Sequence, residues 1–181
     1  MSNLANKLRN EALRLDLGCG IRNRKKPDSE WIHIDIQEIE GIDIVADFTI
    51  LDMFSNESVN EIYAGDVIEH IAPFNLGGVL KEWNRVLKIQ GTFNLQTPNL
   101  NATMLRYANK ELSLQDAYGA LYGSNENIYQ HHFQTFTIET LRDKLIEYGF
   151  GEIDFSESPC SGGDPRNGHW IVCTCKKINN L

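Results

Sequence analysis

Apolar residues fall along this chain in short runs rich in Ile and Val, separated by polar stretches, the pattern of strands buried on both faces of a mostly parallel sheet. The runs predict strands at Leu13 to Leu17, Trp31 to Ile36, Asp43 to Asp47, Glu61 to Ala64, Thr92 to Gln96, Gly151 to Ser156 and Trp170 to Cys175. Between the fourth and fifth, Val79, Leu80, Trp83, Val86 and Leu87 recur at helical spacing, with Asn75 able to start the helix and Gly91 following its end. A second helix is predicted after Thr137 as N-cap, carrying Ile138, Leu141, Leu145 and Tyr148 and stopping before Gly149. The last two strands have no helical pattern between them, so the final strand is expected to run antiparallel to its neighbours.

The early connections are short. Residues 21–30, with Pro27 among them, separate the first two strands, and residues 37–42 separate the next two, whereas a helical crossover takes about a dozen residues or more. Helices on the flank of strands 1 to 3 are therefore expected to be reduced. Residues 101–134 form the longest stretch without strand character and are the expected lid or substrate region of a single domain spanning 1–181. No apolar run nears the ~18 residues of a membrane span, and the N-terminus lacks the features of a signal peptide. A soluble, cytoplasmic protein with no membrane partner is expected.

Charge narrows the partners. With 17 Lys+Arg against 25 Asp+Glu the net charge is −8, the wrong sign for wrapping a nucleic-acid backbone. The cysteines Cys19, Cys160, Cys173 and Cys175 form no C-x-x-C pair, so reduced, buried thiols are expected rather than disulfides or a zinc site, and no metal ligands are read from the sequence.

The stretch "LRLDLGCGIRNRKK" ends a strand in Gly-x-Gly, which lets backbone approach a ligand at the carboxyl edge of a sheet. The dinucleotide fingerprint is not completed, since Asn23 stands where its third glycine would be, and this disfavours NAD. In "WIHIDI", Asp35 closes the second strand and can accept both hydroxyls of a ribose, or simply cap a turn. In "VADF", Asp47 can accept from an adenine amino group with Phe48 against the ring.

In order, "LRLDLGCG", "WIHIDI", "DIVADF", "IYAGDVIEHI", "EWNRVLKIQGTFNLQTPN" and "HHFQTFTIETLRDKLIEYGF" resemble the motifs of class I S-adenosylmethionine-dependent methyltransferases, over about Leu13 to Lys176. The likeness is to a compact branch with a shortened first helix, often associated with glycan or cell-surface biosynthesis. It implies an α/β, Rossmann-like seven-stranded sheet in the order 3-2-1-4-5-7-6 with helices on both faces. It also implies S-adenosylmethionine as cofactor. Position by position, Asp16, Gly18, Cys19 and Gly20 match the motif around the methionine moiety, and Asp35, with Ile36 beside it, matches the ribose acceptor. Asp47 and Phe48 match the adenine contact, and Asp66 to His70 match the segment facing both methyl group and acceptor. Three positions depart from the motifs: Arg22 replaces a glycine common in the first, and Ile89 and Gln90 make "LKIQG" where L-K-P-G-G is usual before the fifth strand. Arg22, Arg24, Lys25 and Lys26 form either a solvated loop or a gate for an anionic substrate such as a nucleotide sugar or phosphorylated sugar.

Methyl transfer needs alignment and exclusion of water, and a base only when the acceptor is a hydroxyl. Of the histidines, His33 and His169 are expected to be structural. His132 or His131, at the end of the lid, is the first candidate base, followed by His70 and Asp66. Tyr107, Tyr118, Tyr122 and Tyr129 form either a substrate wall or the loop's own small core, with Thr97 and Asn99 as weaker substrate contacts. The expected acceptor is a small molecule, and the oligomeric state is not readable. A SAM-binding module without turnover and a nicotinamide-dependent oxidoreductase are the alternatives.

Overall fold

A computed structural model describes residues 3–9, 11–20, 30–124, 127–158 and 170–181. Arg22, Arg24, Lys25, Lys26, Cys160 and His169 lie outside the described residues. The strands are β1 (Arg14–Leu17), β2 (Ile32–Asp35), β3 (Ile44–Val45), β4 (Val59–Gly65), β5 (Leu87–Pro98), β6 (Phe150–Ser158) and β7 (Trp170–Lys177). They form one seven-stranded sheet in the order β3-β2-β1-β4-β5-β7-β6. β1 to β5 pair in parallel, and β7 runs antiparallel to both β5 and β6.

The continuous apolar runs have the cause expected of them: β1 and β2 are buried along nearly their whole length, on both faces of the sheet. β3 is only two residues long, shorter than the Asp43 to Asp47 run suggests. Asp43 instead serves as an anchor, its Oδ2 accepting the His33 N–H at 2.9 Å and pairing with the Lys7 ammonium. Lys7 belongs to α1 (Asn3–Leu8), a short helix that no apolar pattern in the sequence predicts. No helix lies between β2 and β3, nor between β3 and β4 among the described residues, the reduction expected for that part of the flank; the shortened first helix expected between β1 and β2 falls on residues 21–29, outside the described residues. Arg85 makes up part of the loss by pinning the loop before β4. Its guanidinium donates to the Leu51 and Phe54 carbonyls, to Asn56 Oδ1 and to both oxygens of Glu82.

The helix before β5, α2 (Pro73–Val86), starts earlier and ends earlier than its apolar spacing predicts. Pro73 takes the first helical turn, where a missing N–H costs nothing, and Ala72 precedes it as the extended cap. Leu87 is already strand, so the pattern's last apolar residue belongs to β5. One face of α2 buries Leu76, Val79, Leu80, Trp83 and Val86. Trp83 donates its indole N–H to the Phe48 carbonyl at 2.9 Å and meets Phe93 edge-on, with Phe93 in turn against Phe150. These rings tie the sheet centre to the loop after β3. The remaining helices are α3 (Leu100–Ala108), α4 (Leu114–Tyr122) and α5 (Ile138–Glu147). Thr137 caps α5 with a reciprocal Thr137–Thr140 box, and Gly149 follows at φ +78.

The "LKIQG" departure has a visible consequence. The β4 pairing jumps from Leu87 to Thr92, and Gln90 sits in the extruded turn at φ +63, a conformation that favours glycine. Gln90→Gly is expected to stabilise the protein by about 1 kcal/mol. A urea midpoint equal to or below that of the wild type would show that the turn carries no such strain.

Cys173 and Cys175 are buried on one face of β7 while Thr174 is exposed, and both are free thiols; Cys19 is likewise buried and outside any disulfide. The Cys175 thiol is held well above its usual range by its contact with Cys173 and by burial. None of the helices among the described residues is long and apolar enough to cross a membrane.

Candidate active site at the carboxyl edge of the sheet

Parallel pairing brings the ends of β1, β2, β3, β4 and β5 to one edge. The Gly18-Cys19-Gly20 turn follows β1 there, with Gly18 at φ +58 and Gly20 at φ +47. These are left-handed conformations that an L side chain enters only at a cost. A Cβ on Gly18 would lie 2.7 Å from Val67 Cγ2 and 3.5 Å from the Phe48 ring. Gly18 therefore lets the segment after β4 and the loop after β3 close on the turn. On Gly20 a Cβ would meet nothing within 4 Å among the described residues.

Asp35 has the turn-capping role, one of the two the sequence allowed. Its Oδ2 accepts the Gly20 N–H at 2.9 Å and its Oδ1 accepts the Gln37 N–H at 2.9 Å, so the carboxylate shapes the glycine turn while standing at the end of β2 beside it. Each oxygen keeps acceptor capacity for a hydroxyl. Ile36 is exposed at the same strand end. Asp47 accepts from the Thr49 N–H at 2.9 Å and hydroxyl at 2.6 Å, which fixes the turn that presents half-buried Phe48 to Gly18. Asp16 is buried under the turn with its Oδ2 3.0 Å from His33 Nδ1, and His33 is fully buried in β2, the structural role expected of it.

After β4 the backbone turns sharply at Asp66, φ +59. Its carboxylate accepts from the Trp170 indole at 2.5 Å and from the Gln96 amide at 3.2 Å, while its own N–H donates to the Gln96 carbonyl. Tyr63 lies close by, its phenol held far above its usual range by burial and by the Asp66 and Asp16 carboxylates. Trp170 begins β7 at the same edge because β7 is antiparallel, opposite Pro98 in register.

A 3₁₀ turn at Ile68–His70 follows. Glu69 is fully enclosed. Its Oε2 accepts from the Thr97 hydroxyl at 3.0 Å, and its Oε1 has no hydrogen-bond partner among the described residues. Burial first, then the neighbouring Asp66 carboxylate, holds its carboxyl well above the usual range. Thr97, expected to reach substrate, is instead wholly buried inside a longer β5 and gives its hydroxyl to Glu69. Asn99 caps α3 and donates its amide to Glu157.

The segment 131–136 is laced onto this turn: the Phe133 N–H donates to the Glu69 carbonyl, and the Gln134 amide donates to the Ile71 carbonyl at 2.7 Å. Of the aromatics around it, Phe136 is buried, while Tyr129 and Phe133 are exposed. His70 and His132 meet edge-on, ring centroids 4.8 Å apart. Nδ1 of His70 lies 2.9 Å from the His131 carbonyl and Nδ1 of His132 lies 3.2 Å from the Ala120 carbonyl. A carbonyl only accepts, so each Nδ1 carries the hydrogen and each Nε2 keeps its lone pair. Burial lowers both imidazoles below their usual range, His132 to about 4. The His131 ring turns to Phe133 instead, 4.8 Å between centroids. The structure thus brings His70, His132 and Glu69 together and sends the His131 ring elsewhere. Tyr118 and Tyr122 pack on each other along α4, and with Tyr107 and Tyr129 they are largely exposed.

Glu69 is legible in the sequence only as one letter of "DVIEHI"; the signal is a carboxylate embedded between apolar neighbours, Val67 and Ile68 before it and Ile71 beyond. Because folding raises its carboxyl above the usual range, its stability contribution has a definite sign. Below the ordinary carboxyl range the wild type and Glu69→Gln behave alike. As pH rises from that range through the raised folded value, the wild type loses stability that Glu69→Gln does not. The Glu69→Gln minus wild-type difference in melting temperature is expected to grow from pH 4 to pH 8; a pH-independent difference would show that Glu69 is already ionised.

A broad cleft of about 960 Å³ opens at the other edge of the sheet, lined by Asn56, Lys81, Arg85, Tyr148 and neighbours. It gathers no catalytic group and lies away from the glycine turn.

No protein-family model matches the chain, and no curated protein sequence matches it. Solved structures do. A SAM-dependent methyltransferase from Archaeoglobus fulgidus superposes with a TM-score of 0.65 at 17% identity, covering 94% of this chain and 88% of that one. The 1,6-didemethyltoxoflavin-N1-methyltransferase of Burkholderia thailandensis, solved with bound 1,6-didemethyltoxoflavin and S-adenosylhomocysteine, gives 0.63 at 17% identity over 98% of this chain and 77% of that one. A SAM-dependent methyltransferase from Methanosarcina mazei gives 0.63 at 16% identity over 98% of both. The chain has the Rossmann-like fold of these methyltransferases, with the same seven-stranded order expected from its motifs.

Proposed function

We propose that the chain binds S-adenosylmethionine over the Gly18–Gly20 turn and transfers its methyl group to a small-molecule acceptor. The observation that carries this reading is the Gly20 N–H on Asp35 Oδ2, which joins the turn after β1 to the carboxylate ending β2. A nucleoside laid across that edge meets Asp35 at its ribose and Phe48 at its base, and a Cβ on Gly18 would disrupt the packing beneath it. The bound cofactor supplies a cationic sulfonium whose methyl carbon is attacked in line. Asp16, Gly18, Cys19 and Gly20 form the floor under its methionine portion, Ile36 adjoins Asp35 at the ribose, Asp47 with Phe48 flanks the adenine, and Asp66 holds the end of β4 rigid through Trp170 and Gln96.

Above this edge, α3, α4 and the 131–134 segment act as the substrate-facing cover, the last of these donating the Phe133 and Gln134 N–H groups to the Glu69 carbonyl. For a hydroxyl acceptor, His132 Nε2 takes the proton in this reading, with His70 next; His131 contributes its carbonyl, which orients His70. The Arg22 to Lys26 cations, adjoining the glycine turn in sequence, support an anionic acceptor such as a phosphorylated or nucleotide-linked sugar. The small heteroaromatic compound bound to the Burkholderia enzyme supports the size class and not the sugar.

Calorimetric titration with S-adenosylhomocysteine, beside NADH as the competing cofactor, tests the reading. Saturable binding of the former alone supports it, and binding of NADH alone overturns it. Incubating cell extract with isotopically labelled S-adenosylmethionine and the protein then distinguishes transfer from a binding module, by whether any labelled small molecule appears in mass spectrometry.

A further inference from the structure

The Glu69, His70 and His132 cluster has the composition and arrangement of a metal site. One donor atom from each residue lies within 4.8 Å of the other two. Both imidazoles give Nδ1–H to a backbone carbonyl, which fixes the ring and leaves Nε2 as the donor, the outer support characteristic of metal-bound histidine. Glu69 Oε1 is buried, with no hydrogen-bond partner among the described residues, in the same cluster. An orphaned carboxyl oxygen in water-poor surroundings costs stability, and a cation is the partner that removes the cost. Elements far apart in sequence converge here, since His132 arrives on the cover segment while Glu69 and His70 leave β4.

We propose that Glu69, His70 and His132 bind a divalent first-row transition-metal ion through two imidazole nitrogens and one carboxylate oxygen. Two nitrogens and one oxygen suit Zn²⁺ and its neighbours better than Mg²⁺ or Ca²⁺, and three protein ligands leave a coordination position for substrate. Bonds of about 2.0 to 2.2 Å put donors roughly 3.3 Å apart, so a pair standing at the 4.8 Å limit closes by about 1.5 Å around the ion.

The role of the ion in transfer rests on the methyltransferase reading above. A hydroxyl of the acceptor coordinated there loses its proton to water, and its oxygen pair forms the new bond to the methyl carbon. The carbon–sulfur bond breaks with its electrons on sulfur, turning sulfonium into neutral thioether. The preferred acceptor is then a metal-binding oxygen compound rather than an amine. In this arrangement His132 holds the metal and the ion takes over the activation that a free base would supply.

ZnCl₂ and MnCl₂ are titrated separately by calorimetry into the full chain after chelator treatment, and CoCl₂ absorption is recorded on the same protein. The expected result is one equivalent of at least one ion bound with Kd below about 10 µM, together with cobalt ligand-field bands unlike those of the aquo ion. His132→Ala and Glu69→Gln are each expected to weaken binding at least tenfold, and Glu147→Gln, an exposed carboxylate on α5, to leave it unchanged. Failure of the wild type to saturate with either ion, or equal affinity in His132→Ala, overturns the proposal. If Glu69→Gln does not fold, His132→Ala and the wild-type cobalt spectrum decide. Parallel titration with S-adenosylhomocysteine separates the two readings. Cofactor binding without metal uptake removes only the metal site, and metal uptake without cofactor binding supports the site while removing the cofactor assignment.

Discussion

Asp35→Ala is expected to weaken S-adenosylhomocysteine binding at least tenfold. The wild-type side chain accepts the Gly20 and Gln37 N–H groups, and in the proposed site it also meets the ribose diol. Charge-assisted hydrogen bonds are worth about 1.5 to 3 kcal/mol each, and a tenfold loss is about 1.4 kcal/mol. The substitution removes the ligand contacts and also the acceptor that holds Gly20 in its left-handed conformation. Two contributions of the same sign make tenfold a lower bound. Asp35→Asn, which keeps one neutral acceptor oxygen, is expected to fall between wild type and Ala. Calorimetry on the three proteins checks the order, and unchanged affinity in Asp35→Ala would remove this carboxylate from the site.

Gly18→Ala is expected to lower stability by about 2 to 4 kcal/mol and to remove measurable cofactor binding. At φ +58 an alanine is strained by the left-handed backbone, and its Cβ at 2.7 Å from Val67 Cγ2 must push a core side chain that is only 2% exposed. Val67 cannot retreat cheaply because its neighbour Ile68 is itself fully buried. Adding Val67→Ala should relieve the steric part and leave the backbone part, so the double variant recovers stability without reaching wild type. A urea midpoint for Gly18→Ala within about 0.5 kcal/mol of wild type would mean the turn relaxes freely.

The strands are legible in the sequence as Ile- and Val-rich runs, and the antiparallel last strand in the lack of a helix before it, while the sheet order is implied by the likeness of the ordered motifs. Helix ends are less legible. The apolar face of α2 runs directly into β5, so hydrophobic spacing does not show that Leu87 changes secondary structure, whereas Pro73 marks the start more reliably than Asn75 does. α3 and α4 escape the pattern for a different reason: their apolar residues, Met104, Leu105, Leu114 and Tyr118 among them, are exposed, so no inward stripe distinguishes them. Their caps carry the readable signal, Asn99 before α3 and Ser113 with Asp116 for α4. At the site, strand-end residues can be placed because strand ends share an edge. The pairing of His132 with His70 depends on how the segment 131–136 docks on the turn after β4, which is a tertiary fact without a local pattern. Thr97 shows the same limit, since its distance from the strand's end depends on how far β7 extends the pairing.

The position of β7 governs the order in which the sheet can be completed during synthesis. β7 lies between β5 and β6, and its Lys177 ammonium, buried, donates to the Asn84 and Leu87 carbonyls at the α2–β5 junction. Until β7 has left the ribosome, β5 presents an unpaired edge and β6 has no neighbour in the sheet. Closure is therefore a late step joining residues far apart in sequence, and the nascent protein must keep the β5 edge from other chains until then. Trp170 of that same strand supplies an N–H to Asp66, so the carboxyl edge acquires its working shape only once the last strand is seated.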